Sequence, residues 1–112
     1  DVDPRHHGDL SLKDLEQRRG ELPTGLRCKT GGDGIHIYLR HPDDLQIRNS
    51  ANQLAPGLDV RSSGGYVVAP PSSHASGGAY SWQSEPEEQA AEMPAWLVDA
   101  LTSPRDRAAQ EA

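Results

Sequence analysis

The stretch GLDVRSSGGYVVAPPSSH, residues Gly57–His74, decides how this chain is read. Two β-type runs, Leu58–Arg61 and Tyr66–Ala69, flank the turn formers Ser62-Ser63-Gly64-Gly65. Val, Tyr and alternating side chains favour strands, and paired glycines supply the positive φ of a tight turn, so a hairpin is expected. Pro70-Pro71 ends its second strand, because proline has no N–H for the ladder. Asp59 and Arg61 lie two residues apart in the first strand and therefore share a face. A charged pair inside an otherwise apolar hairpin asks for partners elsewhere.

Composition limits what those partners serve. The 112 residues include 34% hydrophobic residues, 11 Gly, 9 Pro and no Phe, which predicts one loop-rich domain with a thin core. The net charge of −6 excludes a surface built to neutralise phosphates in bulk. It leaves room for nucleic acid held through a few metal ions. Cys28 is the only cysteine, which rules out an internal disulfide and disfavours structural zinc. A reducing, cytoplasmic setting is the default expectation. No apolar run reaches the length of a membrane span, so no membrane partner is expected. The chain opens on Asp1 rather than Met, directly on a charged motif, and is expected to be a fragment of a longer protein.

Outward from the hairpin, Asp1-Val2-Asp3 reads as the end of a strand, terminated by Pro4. A surface helix is expected over Leu12–Arg19, with Ser11 as its cap, Asp14 at the capping-box position and Gly20 as its stop. Leu26–Thr30 and Ile35–Leu39 are expected to pair around Gly31-Gly32-Asp33-Gly34. A short strand is placed around Ile47 and another at Ala79–Gln83, followed by an acidic linker at Glu85–Glu92. Pro94 opens a last helix, Ala95–Leu101. The domain is set at 1–102, with 103–112 as a charged, frayed tail.

Period-2 alternation then sorts the chemistry. If these strands share a sheet, Ile35, Ile37, Leu39, Leu58 and Val60 take the core face. Asp1, Asp3, His36, Tyr38, Asp59 and Arg61 take the other. Carboxylates at i and i+2 can converge on a hard divalent cation, and three acids on one face repel unless cations lie among them. His36 follows a glycine-rich turn whose backbone can approach an anion closely, and the planar guanidinium of Arg61 suits phosphate oxygens. The plainer readings are a solvated strand end for Asp1 and Asp3, a surface histidine at 36, and a simple ion pair between Asp59 and Arg61. Trp82 and Trp96 read as core anchors rather than base-stacking platforms. Ser72, Ser73 and His74 end the hairpin and are candidates to border the site, and Ser73 with His74 lacks the context of a hydrolase pair.

The ordered set DVDPRHHGDLSLKDLE, TGGDGIHIYL, PGLDVRSSGGYVVAPPSSH, AYSW and MPAWLVDAL resembles the bifunctional primase/polymerase (prim-pol) domain of the archaeo-eukaryotic primase superfamily. That family is found in phages, plasmids and mobile elements. The resemblance implies an α+β fold with an RRM-like mixed or antiparallel sheet and helices on one side. It implies that Asp1, Asp3 and Asp59 hold Mg²⁺ or Mn²⁺ and that His36 contacts the incoming triphosphate. Gly34 and Arg61 are added here as further nucleotide contacts. The expected activity is DNA priming and primer extension from nucleoside triphosphates, by two-metal nucleotidyl transfer on a DNA template and primer. A helicase domain in the same protein is a further candidate partner. The family domain begins before its first motif with an αβ unit that this chain lacks, so activity is expected of the parent protein. Two rivals stand beside this reading. One is an inert module that binds nucleic acid or a helicase. The other is a rolling-circle endonuclease, which would need a second histidine where Tyr38 stands.

Overall fold

Proline at position 4 stops the first extended segment, and the chain turns at once into helix. Asp3 caps the single 3₁₀ turn Pro4–His6 by accepting from the Arg5 N–H at 3.0 Å. His7 then adopts the left-handed conformation (φ 65°) and opens α1, Gly8–Arg19. The structure, a computed structural model, describes residues 1–62, 78–83 and 89–102. The expected strand Tyr66–Ala69, the turn at Gly64-Gly65, Ser72-Ser73-His74 and the tail 103–112 lie outside the described residues.

Helix α1 starts four residues earlier than the expected Leu12, because the backbone of His7 rather than the side chain of Ser11 caps it. The Ser11 hydroxyl instead donates to Pro56 O at 2.6 Å, which ties α1 to the segment entering the Asp59 strand. Gly20 ends the helix as expected, its N–H bonded to Glu16 O. The Arg27–Lys29 strand (β1) pairs antiparallel with Ile35–Ile37 (β2) around the glycine-rich turn. The Leu39–Arg40 strand (β3) leaves that sheet and runs parallel to a later segment. The strand expected near Ile47 lies at Ser50–Ala51 (β4), and Ile47 itself is buried outside it at 1% exposure. β4 pairs antiparallel with Asp59–Val60 (β5), and Ser81–Trp82 (β6) adds to the free edge of β1. Ala91–Glu92 (β7), within the expected linker, pairs parallel with β3. Arg40 and Glu92 add an ion pair at 3.7 Å there. Helix α2 spans Ala95–Leu101, with Pro94 as its N-cap residue.

One residue joins the pieces. Val2 bridges antiparallel to both Ile35 and Leu58, giving the lateral order β4, β5, Val2, β2, β1, β6. The fold is therefore α+β, with short antiparallel strands and two helices. Val2 and Leu58 are buried, and Leu12 of α1 and Leu97 and Leu101 of α2 line a cavity with Ile37, Leu58 and Val60. Among the described residues no helix is long and apolar enough to cross a membrane.

Gly57 is the tightest point of this junction. It has φ 78°, its carbonyl accepts from Asp3 N at 2.8 Å, and a Cβ there would stand 2.6 Å from His6 O and from the Gly8 Cα. A side chain would meet both backbone strain and overpacking, so Gly57→Ala is expected to cost about 2–4 kcal/mol. Chemical denaturation with an unchanged slope and a lowered midpoint is the check.

Candidate functional site

Pairing register sets the site. Val2 opposite Ile35 places Asp1 opposite His36, and Val2 opposite Leu58 places Asp1 opposite Asp59. Asp1 and Asp59 exchange both backbone bonds, at 2.8 and 2.9 Å, as a hydrogen-bonded antiparallel pair does. His36 is in turn opposite Cys28, and Cys28 is opposite Trp82. One transverse row thus reads Trp82, Cys28, His36, Asp1, Asp59, all on the same sheet face.

Asp1 Oδ1 lies 3.6 Å from His36 Nε2. His36 is only 8% exposed, more buried than its neighbours Ile35 and Ile37. The expectation that this face would be the open one is corrected at that position. The rings of Tyr38 and Tyr80 stand 6.3 and 6.1 Å from the imidazole and cover it. Asp59 Oδ1 accepts from Asn52 N at 3.2 Å, and its Oδ2 is 3.9 Å from Arg61 Nη2. Arg61 also donates to Ser50 O and Val60 O, which holds it over β4 and β5. Asp1, His36, Asp59 and Arg61 all line a cavity of about 280 Å³, the same one that Leu12, Leu97 and Leu101 of the helices line. Tyr38 lines it too. Its buried hydroxyl meets no hydrogen-bond partner among the described residues, and burial pushes its pKa up.

Asp3 is placed otherwise. It shares a strand and a face with Asp1, but its carboxylate is taken by its own loop. Oδ2 is 2.6 Å from His6 Nδ1, and Oδ1 accepts from Arg5 N with the Arg5 guanidinium 3.5 Å away. Among the described residues no three His, Cys, Asp or Glu side chains gather as a metal-binding group. The sequence placed three acids on one face around bound cations, whereas the Asp3 carboxylate is turned to its own loop. Asp1 and Asp59 are directly opposed across their strand pair. Mg²⁺ is commonly held by one or two carboxylates, with water and substrate phosphates completing the shell, and Asp1 with Asp59 fits that donor set.

Gly34 has a structural place. Its N–H donates to Thr30 Oγ1 at 2.9 Å inside its own turn, so it is not presented to an anion. A Cβ at Gly34 would stand 2.6 Å from Val2 O, so glycine is what lets the two strands pair. Sequence reasoning missed three neighbours. Cys28 is fully buried beside His36, and burial raises its thiol pKa. Tyr80 covers His36 from the strand β6 side. Trp82, expected in the core, is 43% exposed. Its neighbours Ser81 and Gln83, both polar, were the available signal of an exposed edge.

A family model described as bifunctional DNA primase/polymerase, N-terminal, matches residues 1–96. Comparison with curated proteins and with solved structures finds no match.

The Asp3 carboxyl is held below its ordinary range, chiefly by the hydrogen bond from His6, with the Arg5 N–H adding to it against a smaller effect of burial. Its folded pKa lies below its unfolded one. The stability it lends is thus present above the unfolded carboxylate range and lost as pH falls through the folded value. In His6→Ala the Asp3 titration is expected to move up toward the ordinary value, and acid unfolding to begin at higher pH. Carboxyl ¹³C chemical shifts followed against pH read this directly, and an unmoved titration would remove His6 as the cause.

Proposed function

We propose, from the premise that this chain belongs to the bifunctional DNA primase/polymerase family, that the His36–Asp1–Asp59 row is a nucleotidyl-transfer site. The reaction is template-dependent priming and primer extension. A 3′-hydroxyl attacks the α-phosphate of a nucleoside triphosphate, and pyrophosphate leaves. What supports the reading is the register that puts two carboxylates and a histidine directly opposite one another across three strand positions. A charged row of this kind has no role in the core, and the cavity beside it gives it access to a ligand.

Each side chain has a task that its surroundings suit. Asp1 and Asp59 would hold Mg²⁺ or Mn²⁺ between opposed strand positions about 5.5 Å apart at the backbone. The bound cation would supply a Lewis acid that lowers the pKa of the attacking hydroxyl and offsets charge on the leaving group. His36, packed by two tyrosine rings, keeps its Nε2 edge toward Asp1, where a triphosphate oxygen could accept a hydrogen bond from it. Arg61 stands at the far end of the row and can present its guanidinium to phosphate oxygens. Asp3 would join the cation only on leaving His6. The chain's part is thus mostly positioning and fixed charge.

In the full-length protein, Asp59→Asn is expected to lower nucleotide incorporation on a primed template by at least about a hundredfold. The amide oxygen can still accept from Asn52 N, so the melting temperature should move by no more than a few degrees. Labelled dNTP extension with Mn²⁺, alongside a thermal melt, is the measurement. Near-normal extension by the variant would take Asp59 out of the site.

A further inference from the structure

The face that carries Asp1 and His36 continues sideways into aromatic side chains that the nucleotidyl-transfer row does not use. Trp82 lies in the same transverse row, two strands from His36. It sits in a two-residue strand that is the edge of its sheet among the described residues, and both its residues are exposed. Its ring centroid is 5.6 Å from that of Tyr38, at an interplanar angle of 53°. Tyr38 and Tyr80 both reach back to His36. The aromatic strip is therefore continuous with the proposed reaction site, with His36 as the shared member.

An indole left 43% exposed forgoes much of the burial that makes Trp useful in a core. Nothing in β6 compensates, since Ser81 and Gln83 on either side are polar and exposed. Exposed aromatics on a sheet face suit one ligand class above others, the unpaired nucleobase, whose π-face stacks regardless of sequence. Charge points the same way. A chain with a net charge of −6 cannot rely on phosphate neutralisation, so affinity for a single strand has to come from stacking. Three inter-strand spacings separate Trp82 from Asp1, about 14 Å, or roughly four base steps.

We infer that Trp82, backed by Tyr38, is a stacking site for an unpaired base of single-stranded DNA a few nucleotides from the reaction site. The choice of ligand rests on the nucleotidyl-transfer reading. The stacking itself is a property of this edge and can be measured separately.

The test uses the full-length protein and a fluorescein-labelled (dT)₂₀ strand, read by anisotropy without nucleotide or metal. Trp82→Ala is expected to weaken binding by roughly 5- to 150-fold, the range for loss of one stacked base. Trp82→Phe should restore most of it. Because affinity rests on stacking rather than phosphate contacts, wild-type binding should fall only shallowly with salt. Adding (dT)₂₀ should quench tryptophan emission in the wild type, and Trp82→Phe should lose that share of the quench, which assigns it to Trp82. That measurement does not depend on how stably Trp82→Ala folds. Wild-type affinity in Trp82→Ala, or unquenched Trp82 emission with the strand bound, overturns the stacking site. Loss of incorporation in the wild type, with stacking intact, would instead overturn the transfer reading alone.

Discussion

Val2 carries the constraint on which this molecule depends. Its N–H donates to Ile35 O at 2.8 Å, its carbonyl accepts from Ile35 N at 3.1 Å, and it bridges Leu58 on its other side. A slip of one residue would send Asp1 and Asp3 to the opposite face and break the row. Three features hold the register. Pro4 prevents the strand from continuing, Asp3 N bonds Gly57 O, and Gly8 N bonds Asp3 O. Opposite Asp3 on either side stand Gly34 and Gly57, where a side chain would collide with neighbouring backbone. The two glycines nearest the site thus serve the approach of strands.

Like charges directly opposite one another across a strand pair are unfavourable, yet Asp1 and Asp59 are such a pair. The chain offsets them locally. His36 lies on the outer side of Asp1, and Arg61 stands beside Asp59. Asp3 has its own partners in Arg5 and His6. The repulsion that the sequence seemed to assign wholly to bound cations is thus shared with protein groups. The Arg5–Asp3 and Arg61–Asp59 pairs are partly exposed and contribute little to stability, which leaves them free to exchange partners when a ligand with its own charges arrives.

Much of this was legible before any coordinates. The β1–β2 hairpin follows from period-2 alternation around Gly31-Gly32-Asp33-Gly34, and α2 follows from Pro94 and the apolar spacing behind it. The same period puts Asp1, His36 and Asp59 on one face of any sheet they share, while their side-by-side placement comes from the Val2 register, which no residue pattern carries. The start of α1 was not legible, because a left-handed His7 capping with its backbone leaves no residue-type signature. Nor were β4 and β7, whose two residues are too few to carry a pattern and whose pairing is decided by neighbours. Asp3 was read by its strand parity, but a 3₁₀ turn put His6 within reach of its carboxylate. Trp82 was read by residue type alone, which says nothing about whether a strand is central or at an edge.

The burial of His36 has the widest consequence. An exposed histidine would be surrounded by water on all sides, and its attraction for a carboxylate would be correspondingly weak. Tyr38 and Tyr80 stand near the ring and fully buried Cys28 lies next to it in the row, so little of the imidazole reaches water. Among the described residues its Nε2 faces the Asp1 carboxylate at 3.6 Å, beside the cavity. The same aromatic cover that isolates His36 ends in the exposed indole of Trp82. One set of rings therefore both sharpens the charged half of the sheet face and supplies its apolar half. On the proposed reading of the site, that division would let a single face of an acidic chain engage phosphate at one point and bases at another.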